Sequence, residues 1–148
     1  MVIVENNKIT MTKGDTLILT LNLVKNKKIF VPEPGDKIFF TMSRHYEDEL
    51  NYRQVIRKEI LVPEINEGNK KPSIVLILEP EDTLYETDEN GNKDYSAPVH
   101  NGLYEYDIKV FYGKPLVYGN MEIEHVDTFI SNTIQLLGKC DKNNIGEI

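Results

Sequence analysis

The sequence predicts an all-β fold, and three observations carry that reading. Apolar residues recur at every second position in short runs: Leu17, Leu19, Leu21 and Leu23, then Ile38, Phe40 and Met42, then Tyr104, Tyr106, Ile108 and Val110. That is the period of a strand with one wet face. Turn residues interrupt the runs every ~8–12 residues, giving about eight or nine short strands, the pattern of a β-sandwich or barrel with at most a short helical turn. No long helical stripe alternates with the strands, which sets a parallel α/β sheet aside.

Taken in order, Val2 to Val4 is a short apolar run, and Asn6-Asn7 turns the chain into Lys8–Thr12. Gly14-Asp15 breaks that run, because glycine accepts positive φ and aspartate caps a turn with its side chain. Leu17 to Leu23 is the clearest strand of the first half. Asn26-Lys27-Lys28 makes a turn, and Ile29 to Val31 then runs into Pro32, Glu33 and Pro34. Prolines so close together confine any strand there to an edge. Gly35-Asp36 leads into a strand from Lys37 to Ser43, and the polar, acidic stretch from Arg44 to Asn51 reads as a loop. In Tyr52 to Val62, Val55, Ile56, Ile60 and Leu61 fit a helical stripe about as well as a strand; alternation of Ile56, Lys58 and Ile60, closed by Pro63, favours the strand.

Asn66 to Pro72 reads as a turn, and Ser73 to Leu78, apolar on both faces, as a central covered strand. Glu79 to Leu84 is a tight corner of one helical turn. Residues 85 to 101 are polar, with Asn90-Gly91 in their middle, and form the longest stretch without periodicity. Leu103 to Tyr112 is a strand, Gly113-Lys114-Pro115 a hairpin turn, Leu116 to Tyr118 the returning strand, and Met121 to Val126 a further alternating run. Thr128 to Leu137 reads as a last strand or a short helix. The domain is expected to span 1–140, with 141–148 a flexible C-terminal tail.

The chain has 148 residues, enough for one core without a metal or disulfide staple. Lys and Arg number 17 against 24 Asp and Glu, a formal charge of −7. With no basic stripe to neutralise phosphates, nucleic acid is not an expected partner. No window approaches the roughly 18 apolar residues of a membrane span, and the first residues carry no basic, apolar secretory signal, so neither membrane nor export is expected. The lone Cys140 reads as an incidental thiol.

Little in the residues points to chemistry. Asp88, Asn90, Asn92 and Asp94 space oxygens at alternate positions as a calcium loop does, but Lys93 and Val99 stand where that loop needs Gly and Glu. A solvated hairpin loop accounts for the same residues. His45, His100 and His125 are too scattered for a metal site or a triad, and His125 reads as a partly buried imidazole. Glu47-Asp48-Glu49, Glu81-Asp82 and Glu122/Glu124 are carboxylate groupings that a wet surface explains. No phosphate loop and no nucleophile elbow is present, so no enzyme, catalytic residue, metal or cofactor is expected.

Two resemblances meet around Gly102 to Val110. Glu81-Asp82-Thr83 followed by Gly102-Leu103-Tyr104-Glu105-Tyr106 resembles the corner before strand F of an immunoglobulin-like sandwich, with Leu84 to Asn101 inserted between the halves. The resemblance implies a single antiparallel β-sandwich in which the Tyr104 hydroxyl bonds back to the upstream turn, and in which Tyr106 stands where antibody domains carry their second cysteine. The wider series resembles the N-terminal domain of upper baseplate proteins and related tail proteins of phages and prophages of Gram-positive bacteria. It comprises Gly14-Asp15-Thr16 with its leucine-alternating strand, Gly35-Asp36-Lys37-Ile38-Phe39-Phe40-Thr41-Met42, Glu81-Asp82-Thr83, Gly102 to Ile108 and Gly119-Asn120-Met121-Glu122-Ile123.

That second resemblance implies a structural, non-enzymatic virion component assembled in the bacterial cytoplasm, with other phage structural proteins as partners and a homo-oligomer as one arrangement. Gly14, Asp15, Gly35, Asp36, Asp82, Thr83, Gly102 and Tyr104 are its expected structural residues. Docking is expected through Tyr-rich faces and exposed strand edges, including Ile29 to Val31. The alternative is a carbohydrate- or ligand-binding module that stacks on Tyr46, Tyr52, Tyr85, Tyr95 and Tyr112.

Overall fold

The computed structural model describes residues 1–45, 52–62 and 73–138. Its strands, in chain order, are β1 (Val2–Glu5), β2 (Lys8–Thr12), β3 (Leu17–Leu21), β4 (Val24–Lys25), β5 (Lys28–Ile29), β6 (Lys37–His45), β7 (Tyr52–Ile60) and β8 (Ile74–Leu78). A single turn of helix, α1 (Pro80–Leu84), precedes β9 (Tyr85–Thr87), β10 (Lys93–Pro98), β11 (Gly102–Phe111), β12 (Leu116–Tyr118), β13 (Met121–Ile123) and β14 (Val126–Leu137). The fold is all-β, as expected. The strands outnumber the expected eight or nine because several turns open into short hairpins of their own.

The main layer is a six-stranded sheet in the order β1-β2-β14-β11-β6-β7. All its pairings are antiparallel except β14 with β2, which is parallel. β11 lies inside it, paired with β14 on one side and β6 on the other. Its alternation is the one read from the sequence: Tyr104, Tyr106, Ile108 and Val110 are buried, and Glu105 is exposed. β3 and β8 form a separate two-stranded sheet. Their inward side chains Leu17, Leu21, Ile74, Leu76 and Leu78 join the same core cluster as the main sheet, giving a sandwich-like layering. Each such aliphatic side chain taken out of water favours the folded state by about 1.5–3 kcal/mol.

Bulges explain the two segments whose period was ambiguous. Met42 pairs with Ile56 but Ser43 pairs with Gln54, so Val55 is an extra residue in β7, and Val55 and Ile56 are both buried. In β14, Ile108 faces Ile130 while Lys109 faces Thr128, which leaves Phe129 as the extra residue. A bulge of this kind shifts side-chain parity and bends the strand. Tyr52–Ile60 and Val126–Leu137 are therefore strands with one step in their alternation.

Several expectations are corrected. Ser73 to Leu78 is not a central strand: β8 has β3 as its partner among the described residues, and Ile77 is exposed opposite an exposed Ile18. The apolar residues on its second face reflect β-propensity on a wet side and not burial. The hairpin loop expected around Asn90-Gly91 is present, with β9 and β10 paired on either side of it. The half-buried Lys93 ammonium donates there to the carbonyls of Asp82 (3.1 Å) and Tyr85 (2.7 Å), and burial pushes its pKa down. The strand beginning at Leu17 ends at Leu21, although Leu23 is buried beyond it, and the run from Met121 to Val126 is split at Glu124-His125. Residues 46–51, 63–72 and 139–148, and with them Tyr46, the expected turn at 66–72, Cys140 and the expected tail, lie outside the described residues.

The corner tyrosine is also corrected in its partner. The Tyr104 hydroxyl donates to the carbonyl oxygen of His100 at 2.6 Å, four residues upstream, and not to Glu81-Asp82-Thr83. That turn is held instead by the Thr83 hydroxyl, which accepts the Gly14 amide at 2.8 Å. Tyr104→Phe removes the bond to His100 and is expected to lower stability by about 1 kcal/mol; urea denaturation of both forms checks it, and an unchanged midpoint would contradict the role.

Candidate docking surface

Among the described residues the hairpin of β12 and β13 is the longest stretch exposed throughout. Every residue from Gly113 to Glu124 is exposed. The pairing Leu116↔Ile123 and Tyr118↔Met121 puts these four apolar side chains on one face of the ribbon, with Val117↔Glu122 on the other. They are 50%, 44%, 79% and 61% exposed in that order. An isolated two-stranded ribbon is marginal in water, and four exposed apolar side chains on one face make this ribbon a candidate contact surface.

The ribbon is held at its neck by groups distant in sequence. The Tyr112 amide donates to the His125 carbonyl at 2.9 Å, closing the neck as the last rung. The imidazole of His125 stacks on the Tyr112 ring at 4.0 Å between centroids. The Tyr112 hydroxyl donates to Asp127 Oδ2 at 2.9 Å, and Lys25 Nζ donates both to that oxygen (2.9 Å) and to the Tyr112 hydroxyl (3.1 Å). The Lys25 bond, followed by that from Tyr112, holds the Asp127 carboxyl below its usual range, and the Asp127 bond raises the Lys25 pKa. Burial raises that of Tyr112.

Asp36 fixes the other side of the neck. Its carboxylate accepts the Gly113 amide through Oδ1 and the Glu33 amide through Oδ2, both at 2.8 Å. Gly35 takes φ +94°, and a Cβ on Gly113 would lie 2.8 Å from the Gly35 carbonyl carbon, so the two turns touch backbone to backbone. The Gly35-Asp36 turn thus sets where the ribbon leaves the sheet.

A second exposed hairpin grows from the same place. β4 and β5 are joined through Asn26 (φ +53°) and Lys27 (φ +64°), a tight turn with both central residues left-handed. All of Val24 to Ile29 is exposed. Phe30 anchors it, with its ring 5.9 Å from that of Tyr112 and 4.9 Å from that of Phe129, and its amide bonded to the Leu23 carbonyl. Ile29 and Val31, on either side of that anchor, are exposed.

The expected structural residues fall into separate places. Gly14 meets Thr83, Asp15 pairs with the Met1 amino group, and Gly35 and Asp36 grip Gly113. Asp82 accepts from Lys58 and from the Glu79 amide at the start of α1. Gly102 opens β11 at φ +150°, a conformation that favours glycine. Lys25, Phe30, Asp127 and Phe129 were not singled out by sequence reasoning; Lys25 is 87 and 102 residues from its two partners, a separation no local pattern bridges.

The chemistry set aside from the sequence has its place in the fold as well. Asp88 Oδ1 accepts the amides of Asn90 and Asn92, and Asp94 Oδ1 accepts from Ser96, so the suspected calcium-loop oxygens serve their own turns. Among the described residues no grouping of His, Cys, Asp or Glu could hold a metal ion. Glu81 accepts from the Tyr95 hydroxyl, and the Tyr95 ring packs edge-on to Tyr85, unlike a flat stacking platform. Among the described residues no helix is long and apolar enough to cross a membrane. The sequence matches no protein-family model and no curated protein.

A carboxylate whose folded pKa is depressed contributes stability above its unfolded value, about 3.9 for aspartate, and loses it as pH falls through the lower folded value. Asp127 is therefore expected to titrate below that range by NMR, and Lys25→Met to bring it back up; an unchanged titration in the variant would remove Lys25 from the neck.

Proposed function

We propose that this chain is a non-enzymatic structural and assembly protein of a phage or prophage particle, a tail or baseplate component. It assembles in the bacterial cytoplasm and works through contacts with other particle proteins. The observation that carries the reading is the β12–β13 ribbon, an apolar face presented to water on a neck fixed by Asp36, Tyr112, His125 and Asp127. Chains that act alone rarely display such a face, whereas subunits that assemble use exposed hairpins and edges to reach their neighbours. The likeness of the Gly-Asp turns and of Gly102 to Ile108 to baseplate proteins supports the same reading and names the kind of particle. The β1 edge, with Ile3 and Val4 exposed, offers a further strand for such contacts.

The test is made on particles released by the phage or prophage that encodes the chain, separated on a density gradient and analysed by mass spectrometry. The chain is expected in the tail-bearing fraction in fixed proportion to other tail proteins. Combined Leu116→Ser, Tyr118→Ser and Ile123→Ser, at side chains already exposed, should leave the melting temperature nearly unchanged and remove the chain from the particle. Absence of the wild-type chain from that fraction would overturn the proposal.

A further inference from the structure

The two exposed hairpins carry opposite charge. β4–β5 has Lys27 and Lys28 at and beside its tip, with apolar Val24 and Ile29 paired across it. β12–β13 has Glu122 on β13, on the face opposite its apolar side chains, and Glu124 beyond it, against a single Lys114 before β12. Both grow from one aromatic cluster, since Phe30 packs against Tyr112 and Lys25 bonds to Tyr112 and Asp127. Lys25 is thereby used within the chain, whereas Lys27, Lys28, Glu122 and Glu124 project into solvent.

We infer that the occupant of this surface is a second copy of the same chain. In a two-fold dimer the β4–β5 hairpin of one copy lies against the β12–β13 ribbon of the other, and the reverse contact forms at the same time. A two-fold axis needs adjacent, complementary patches on one surface, and the shared root of the hairpins provides them. Charge selects this pairing over the alternatives. Copies of a chain with net charge −7 repel one another, so a stable self-contact has to set opposite signs face to face. Pairing β13 with its own copy would bring Glu122 and Glu124 together, like charges that destabilise a strand pair. Pairing the edges of β5 and β13 sets Lys28 beside Glu122 on one face of the joined strands and Ile29 beside the apolar side chains of the ribbon on the other, so the charges are matched and the apolar residues meet on separate faces. The inference deepens the assembly reading and rests on it, naming the first partner the subunit takes.

Sedimentation velocity of the full chain tests it through two charge-reversed variants, Lys27→Glu/Lys28→Glu and Glu122→Lys/Glu124→Lys, with circular dichroism confirming that each folds. The wild type is expected to form a dimer whose dissociation constant rises by about tenfold or more between low and high salt. Each variant alone is expected to be monomeric, because its hairpins now repel. Mixed in equal amounts, the two should form a heterodimer, since each contact again joins Lys to Glu. A wild type that is monomeric at its solubility limit, or a mixture that stays monomeric, overturns the inference. A monomer that still enters tail particles through the ribbon would overturn the self-contact and leave the assembly reading standing.

Discussion

The structure depends on β11 being hydrogen-bonded on both sides. From Glu105 to Phe111 this strand pairs with β6 on one edge and β14 on the other, and its buried side chains stand at the middle of the core. An interior strand exposes no backbone donors or acceptors to water, and its alternating face commits the neighbours to a register. The β14 bulge at Phe129 falls opposite the step from Ile108 to Lys109, and the neck at Tyr112 follows the last residue of the strand, Phe111. Tyr106 adds a link at the other end, donating its hydroxyl to the Asn7 carbonyl in the β1–β2 turn and stacking on Phe40.

At the end of β11 a fixed neck carries a free ribbon. Asp36 is a buried carboxylate that accepts two backbone amides, an arrangement strong enough to set the direction of the chain leaving the sheet. Beyond Gly113 the ribbon has its own strand pairing and little else. Among the described residues nothing buries its apolar face, which stays in water. The β4–β5 hairpin repeats the design at smaller size, with Phe30 as its anchor and Val24 and Ile29 left in water.

Much of this fold was legible in the sequence, for physical reasons that can be stated strand by strand. β11 and β3 face the core with one side and keep a period of two, so their residue patterns were readable directly; in β6 the inward Ile38, Phe40 and Met42 were readable, but Phe39 and Thr41 are buried on its other face as well. β7 and β14 were ambiguous because bulges at Val55 and Phe129 put consecutive apolar residues inward. The hairpin turn at Asn90-Gly91 was legible, but not the strands β9 and β10 on either side of it, because they carry no apolar alternation and Lys93 is held there by carbonyls of Asp82 and Tyr85. The turn residues were recognised as turns, but not what they grip: nothing near Asp36 in sequence points to Gly113. The sequence marks Leu116 to Tyr118 as a strand returning along Leu103 to Tyr112 and Met121 to Val126 as one run, whereas Leu116–Tyr118 pairs with Met121–Ile123 instead; that neither face is covered by the described residues is a tertiary fact, invisible to a pattern that marks apolar residues without saying where they lie.

The central claim is that the ribbon is ordered at its neck and uncovered along its length. Amide hydrogen exchange measures this most directly, because protection reports the free energy of opening at each rung. In the dilute, unassembled chain, amides of Ile108 and Val110 are expected to exchange only with global unfolding, and those of Val117 and Met121 to exchange quickly. On concentration or assembly the ribbon amides should become protected while those of β11 stay as they were. Ribbon amides already as protected as β11 in the dilute chain would contradict the account, since they would show that the ribbon is stabilised without a partner.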